Sequence, residues 1–81
     1  MHIKILGPGC EKCLRLERAT RDALHRLAVL ATVEVVTDAR EIARHGVKQT
    51  PALLVDNTLV VAGRVPTAAE IQCMLAAAPA A

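Results

Sequence analysis

Within the first 36 residues, the spacing of apolar residues changes twice between a strand pattern and a helix pattern. This change constrains the fold more than any other feature of the sequence. The segment HIKIL (2–6) alternates with a period of two and ends at Gly7-Pro8-Gly9, as a strand does before a turn. Apolar residues then recur at three- and four-residue steps from Cys10 to Ala28, which predicts an amphipathic helix. The β-branched segment TVEVV (32–36) predicts a second strand. These three elements predict a βαβ unit with parallel strands and a right-handed crossover.

A short second helix is predicted at about residues 39–45. Asp38 is a typical N-cap residue, and Glu41 stands three positions later, as in a capping box. Gly46 supplies the left-handed backbone conformation that commonly ends a helix.

The last third of the chain predicts two strands and a final helix. ALLV (52–55) is apolar throughout, as expected for a central strand that is covered on both faces. TLVVA (58–62) follows after a short turn and is predicted to pair with it as a hairpin. Thr67 and Glu70 match a second capping box, which opens a helix through about Ala77. The complete predicted order is β-α-β-α-β-β-α.

Length and composition favour one small α/β domain over residues 1–81, with residues 78–81 expected to fray. Apolar residues make up 53% of the chain, yet Phe, Tyr and Trp are absent, so the core must consist of aliphatic side chains. The same absence argues against a site that stacks nucleic-acid bases. The net charge is only +2, and the basic residues between Lys12 and Arg26 alternate with acidic ones. This predicts a solvated helix face, with neither a nucleic-acid nor a membrane partner.

The sequence opens without a signal-peptide pattern. Its longest apolar run, residues 74–81, is far shorter than the ~20 residues that span a bilayer. We therefore expect a cytoplasmic protein. In that reducing compartment, three cysteines favour a catalytic or metal-binding role over a disulfide scaffold.

Two of the cysteines form a C-x-x-C motif where the first strand gives way to the first helix. Cys10 falls at the helix N-terminus, where free amide groups and the helix dipole stabilise a thiolate, so we expect its pKa to be lowered. Lys12 adds a favourable charge and Glu11 an unfavourable one. Cys13 lies one turn further on and faces the core. One exposed and one sheltered sulfur suit a two-step disulfide exchange, in which Cys10 attacks and Cys13 resolves.

A second motif is Thr50-Pro51, directly before the predicted central strand. On Pro51 alone, the favoured interpretation is a trans proline that starts the strand, because only ~5% of X-Pro bonds in folded proteins are cis. A cis proline at a tight turn would instead let Thr50 and Ala52 present free backbone groups to an extended chain.

Together, the element order, the C-x-x-C after the first strand and the Thr-Pro before the third resemble the thioredoxin-fold superfamily. The resemblance covers roughly residues 2–77. It is strongest to the small redox-active disulfide proteins of archaea and bacteria, which share G-x-G-C-x-x-C near the N-terminus and Gly-Arg-Val, here residues 63–65, before the last helix. It implies a thioredoxin-like α/β fold with a four-stranded mixed sheet and three helices.

The resemblance also implies a thiol–disulfide oxidoreductase without a cofactor. Cys10 would be the nucleophile and Cys13 the resolving thiol. Four residues would contact the substrate, namely Gly9, Thr50, a cis Pro51 and Gly63. A side chain at Gly63 is expected to crowd the helix. The implied partners are a disulfide-bearing protein or a low-molecular-weight thiol, together with an upstream reductase or dithiol donor.

Three positions depart from the thioredoxin pattern. Thioredoxins have Trp before the first cysteine, where this chain has Gly9, and Gly-Pro between the cysteines, where it has Glu11-Lys12. Glu11 and Lys12 are therefore expected to modulate the reactivity of Cys10. The third cysteine, Cys73, is predicted to be a small, half-buried residue of the last helix.

The residues leave a second interpretation open, in which Cys10 and Cys13 bind a soft metal or metalloid, for example Cu(I). Heavy-metal-associated domains use a similar pair, but their order is β-α-β-β-α-β and Met stands where this chain has Pro8. A tetrahedral zinc site would need two more ligands, and His2 lies at the far end of its strand. A third interpretation is a non-catalytic adaptor with this fold.

Overall fold

A computed structural model describes residues 1–77 and has the element order predicted from the sequence. The elements are β1 (His2–Leu6), α1 (Glu11–Leu27), β2 (Thr32–Val36), α2 (Ala39–Arg44), β3 (Ala52–Val55), β4 (Thr58–Ala62) and α3 (Ala68–Ala77). The expectation that residues 78–81 fray lies outside the described residues.

The strands form one four-stranded sheet in the order β2-β1-β3-β4. β1 is parallel to β2 and antiparallel to β3, and β3 is antiparallel to β4, so the sheet is mixed as predicted. Leu6, the last residue of β1, pairs with Ala52, the first residue of β3. The segment after β1 and the segment before β3 therefore meet at one edge of the sheet, although they are far apart in sequence.

Two aliphatic clusters cover the two faces of the sheet. The larger joins the sheet to α1 and α3 and includes Ile5, Leu16, Leu53 and Ile71, all completely buried. The smaller lies on the opposite face, where Ile42 of α2 packs with side chains of β1, β2 and β3. All four residues of β3 are buried, which explains why its sequence is apolar throughout.

The helix caps agree with the sequence prediction except at α2. Thr67 and Glu70 form the predicted capping box, since each side chain accepts a hydrogen bond from the amide of the other. At α2, Asp38 accepts from the Arg40 amide at 2.8 Å, but Glu41 pairs with Arg44 at 2.6 Å. The α2 capping box was therefore predicted wrongly, because Glu41 has an oppositely charged partner one turn later.

The outer face of α1 carries three ion pairs between residues four apart. They are Glu11–Arg15, Glu17–Arg21 and Asp22–Arg26, at 2.9 to 3.0 Å. The basic residues of this helix therefore form the solvated, charge-paired face predicted from the sequence. Within residues 1–77, no helix combines the length and the apolarity needed to cross a membrane.

Candidate active site

The candidate site begins where β1 passes into α1. Gly7 is buried, and its amide donates to the Val36 carbonyl at 3.0 Å, which extends the β1–β2 pairing by one residue. Gly9 has a φ of +85°, a left-handed conformation that favours glycine. The chain then reverses into α1, with Cys10 as an extended N-cap residue.

The two cysteine side chains are close together but differ in exposure. Cys10 is exposed, whereas only 3% of Cys13 is accessible. Their Sγ atoms lie 2.9 Å apart, and both are free thiols. The site thus pairs one sulfur that is open to solvent with one that is covered by the protein.

The pKa of Cys10 is lowered, in the direction predicted from its position. The largest cause is the hydrogen bond from the Cys13 thiol, followed by the backbone amides of Cys13 and Lys12. The Cys10 side chain makes no well-aligned capping hydrogen bond. The amides therefore stabilise its thiolate mainly through their dipoles. The sequence predicted the direction of the shift but missed the contribution of the second thiol.

The pKa of Cys13 is raised. Burial is the main cause, because a thiolate loses its hydration there, and the hydrogen bond to Cys10 adds to it. The two shifts are complementary, since a protonated Cys13 is the donor that a Cys10 thiolate needs. The two shifts thus favour the thiolate form of Cys10 and the protonated form of Cys13.

We expect Cys10 to stay reactive towards iodoacetamide at a lower pH than free cysteine does. The thiolate is the nucleophile, so the rate is full above the Cys10 pKa and falls as the pH drops through it. The measurement is the alkylation rate between pH 5 and 10, followed by mass spectrometry in a Cys73→Ser background. A midpoint at or above the value of about 8.5 for free cysteine would contradict the assignment.

The Thr50-Pro51 segment lies beside the dithiol. The peptide bond between these residues is cis, which is the form implied by the resemblance and not the trans form that Pro51 alone favours. Pro51 is buried and Thr50 is exposed. A Cβ atom built on Gly7 would overlap Cys13 Sγ and lie 3.8 Å from Pro51 Cα, so Cys13 and Pro51 both flank Gly7.

Gly63 is held next to this segment by backbone contacts. Its amide donates to the Pro51 carbonyl at 2.9 Å, and its φ is +81°. A Cβ atom on Gly63 would overlap the side-chain oxygen of Gln49 and approach Gln49 Cβ to 3.2 Å. The expectation that it would crowd the helix is therefore wrong, because its neighbour is the loop that leads into Pro51.

The side chains between the two cysteines point to solvent. Glu11 and Lys12 are both exposed, and the Glu11 carboxylate accepts a 2.9 Å hydrogen bond from Arg15 further along the helix. This ion pair directs the Glu11 carboxylate along α1 towards Arg15. The contribution of Lys12 that the structure shows is its backbone amide, which faces the Cys10 sulfur.

The third cysteine, Cys73, lies on α3, outside the C-x-x-C motif, and is exposed. The prediction that it is half-buried was wrong, because α3 buries the face that carries Ile71 and Leu75, two residues to either side.

The metal-binding interpretation gains no support from the arrangement of side chains. Among residues 1–77, no group of three or more His, Cys, Asp or Glu side chains is placed to hold a metal ion. His2 lies at the opposite end of β1 from the dithiol and approaches Glu34 at 3.5 Å.

Sequence reasoning missed two residues of the site, Gly7 and Gln49. Gly7 was interpreted only as part of a turn, and the sequence carries no signal that its missing side chain leaves room for Cys13. Gln49 lies in a segment without periodicity. Its contact with Gly63 depends on the pairing of β3 with β4, which only the structure locates.

Comparison with known proteins agrees with this geometry. A family model described as a thioredoxin domain matches residues 1–76. The chain is 36% identical over 75 residues to a thioredoxin of Methanothermobacter thermautotrophicus, covering 93% of this chain and 97% of that protein. It is also 36% identical over 70 residues to a thioredoxin of Methanocaldococcus jannaschii, covering 86% of this chain and 80% of that protein. The chain therefore belongs to the thioredoxin domain family and is, in general terms, a thiol–disulfide oxidoreductase.

Proposed function

We propose that the Cys10–Cys13 dithiol reduces disulfides of proteins or of low-molecular-weight compounds and is itself converted to a disulfide. The observation that carries the proposal is the pairing of an exposed Cys10 with a buried Cys13, their sulfurs 2.9 Å apart. The opposite pKa shifts of the two thiols support it, because the exposed one is favoured as thiolate and the buried one as thiol.

The exchange has two steps, and each transfers one sulfur–sulfur bond. The Cys10 thiolate attacks one sulfur of the substrate, which forms a mixed disulfide and releases the other substrate sulfur as a thiolate. Cys13 then gives its proton to that thiolate and attacks Cys10 Sγ. This second attack forms the Cys10–Cys13 bond and releases the remaining substrate sulfur. Two electrons have passed to the substrate.

The substrate segment next to the attacked sulfur is proposed to lie against Thr50 and Pro51. Thr50 is exposed, and within the described part of the chain its backbone takes part in no hydrogen bond to another backbone group. An extended substrate can therefore bond to it in the manner of an added strand. Gly9 and Gly63 are both exposed, and we propose that they belong to the same substrate-facing surface.

A complete cycle needs a partner that returns two electrons to the Cys10–Cys13 disulfide. We propose an upstream reductase or a dithiol donor for this role, since no redox cofactor is implied by the residues of the site. The cytoplasmic location predicted from the sequence fits a protein whose dithiol must be kept reduced.

The direct test is a redox titration of the purified protein in glutathione buffers of graded potential. The Cys73→Ser variant is used, so that every change in thiol number reports on the pair. We expect Cys10 and Cys13 to be lost together and reversibly, as an intramolecular disulfide with a potential between about −120 and −270 mV, the range of known oxidoreductases.

Two outcomes would overturn the proposal. One is that the pair forms no intramolecular disulfide at any potential. The other is that the disulfide forms only at potentials far outside this range while the reduced protein binds Cu(I) or arsenite stoichiometrically and tightly, which would favour the soft-metal interpretation. The Cys13→Ser variant serves as the matched control, since it keeps Cys10 but cannot close the disulfide.

A further inference from the structure

The site contains a glycine whose backbone does not require one. Gly9, Gly46 and Gly63 have φ values between +71° and +85°, where residues with side chains are strained. Gly7 is not among the glycines with positive φ, and its amide is fixed by a regular hydrogen bond to Val36. A positive φ is therefore not the reason for glycine at position 7, and we look for the reason in the space around it.

That space is occupied by the sulfur of Cys13. A Cβ atom on Gly7 would overlap Cys13 Sγ and lie 3.4 Å from Cys13 Cβ. Cys13 Sγ is attached by one rotatable bond to a residue in the first turn of α1, and one of its three staggered positions is disfavoured in a helix. The sulfur can therefore move away only by a large rotation, or by a shift of α1 against β1.

Pro51 is a second neighbour of Gly7. Pro51 Cα lies 3.8 Å from the position of such a Cβ atom, and Pro51 is itself fully buried and bonded through its carbonyl to Gly63. A Cβ atom at position 7 would thus be in ordinary contact with Pro51 and overlap only with Cys13 Sγ. Because the backbone fixes the direction of an alanine Cβ atom, the contact with Cys13 Sγ can be relieved only by movement of the neighbours.

We propose that Gly7 is a positioning residue for the exchange reaction. Because it has no side chain, it leaves the space in which Cys13 Sγ stays within reach of Cys10 Sγ. This inference rests on the proposed function of the dithiol. Gly7 touches neither the substrate nor the attacked bond. It acts through Cys13, whose thiol donates the hydrogen bond that favours the Cys10 thiolate and later attacks Cys10 Sγ.

The test compares Gly7→Ala with Gly46→Ala, both in the Cys73→Ser background. Gly46, unlike Gly7, has a backbone that favours glycine, but nothing lies within 4 Å of its Cβ position. We expect Gly7→Ala to lower the alkylation rate of Cys10 at pH 7 by about three- to tenfold, through loss of the thiol–thiolate hydrogen bond. The equilibrium constant for closing the disulfide should change by about tenfold, or ~30 mV. Gly46→Ala should change neither quantity, even where it lowers the melting temperature.

A double variant tests whether Gly7 acts through the sulfur. In Cys13→Ala the overlapping atom is gone, so adding Gly7→Ala should leave the alkylation rate of Cys10 unchanged and cost less stability than it does beside Cys13. If Gly7→Ala does not fold, recovery of folding in the double variant supports the inference. Failure to recover overturns it, as does a Gly7→Ala protein whose Cys10 reactivity and disulfide equilibrium match the parent.

The result for the Gly7→Ala variant can be distinguished from the result for the proposed function. A parent protein that never forms the Cys10–Cys13 disulfide contradicts the function, whatever position 7 does. A parent that forms it normally, with a Gly7→Ala variant that behaves identically, contradicts only the role of Gly7.

Discussion

Replacing Cys10 by serine is expected to lower the rate of disulfide reduction by about 10³-fold or more, because a serine hydroxyl does not ionise at neutral pH and Cys13 is covered by the protein. Replacing Cys13 by serine should have a different effect. The first attack remains possible, but the mixed disulfide on Cys10 then has no resolving thiol nearby. The two variants therefore separate attack from resolution.

A chromogenic aromatic disulfide, dithiobis(nitrobenzoate), distinguishes these outcomes by stoichiometry in the Cys73→Ser background. The parent should release two thionitrobenzoate ions per chain and retain none. The Cys13→Ser variant should release one and retain one on Cys10, detectable by mass. The Cys10→Ser variant should react slowly. Fast labelling of Cys13 in that last variant, or complete turnover by Cys13→Ser, would contradict the assigned roles.

Replacing Leu53 by alanine is expected to lower the free energy of unfolding by about 2–5 kcal/mol. Leu53 is completely buried in β3, pairs with Ile5 in the sheet and belongs to the cluster under α1 and α3. The chain contains no aromatic side chain, so Leu53 is among the larger groups of an aliphatic core, and its loss leaves a cavity there. For a chain of this size, such a loss is a large part of the total stability.

Leu59→Ala is the matched control, because Leu59 lies on the adjacent strand β4 with 47% of its surface exposed. It should change the free energy of unfolding by no more than about 0.5 kcal/mol. Urea denaturation of both variants, followed by circular dichroism, gives the two values. Equal losses in the two variants would show that the cluster around Leu53 is not the main source of stability.

The fold was predictable because each element has its own local signal. The apolar run 52–55 predicted a strand buried on both faces, and the pattern from Cys10 to Ala28 predicted the long amphipathic helix. The parallel pairing of β1 with β2 followed from the strand–helix–strand order. Only the resemblance, by contrast, implied a mixed sheet. Periodicity does not reveal whether β3 pairs with β1, because that contact joins residues nearly fifty positions apart.

The exposure of the two cysteines was predictable from the sequence, but the contacts of the candidate site were not. The exposed Cys10 and sheltered Cys13 followed from their places in the first helical turn. The hydrogen bond between their thiols did not, since it depends on side-chain rotamers. The neighbours of Gly7 and Gly63 were missed for the same kind of reason: what a glycine leaves room for is a property of the assembled sheet. Cys73 was predicted to be half-buried, but it lies on the exposed face of α3.

The pairing of Leu6 with Ala52 has a consequence for how such a chain can diversify. The sulfur geometry is fixed by backbone pairing and by buried atoms at Gly7, Cys13 and Pro51. Lys12 and Thr50, by contrast, are exposed, and their side chains make none of these buried contacts. On the proposed function, exposed side chains around Cys10 could be exchanged to suit a new partner without disturbing the buried contacts that position the two sulfurs.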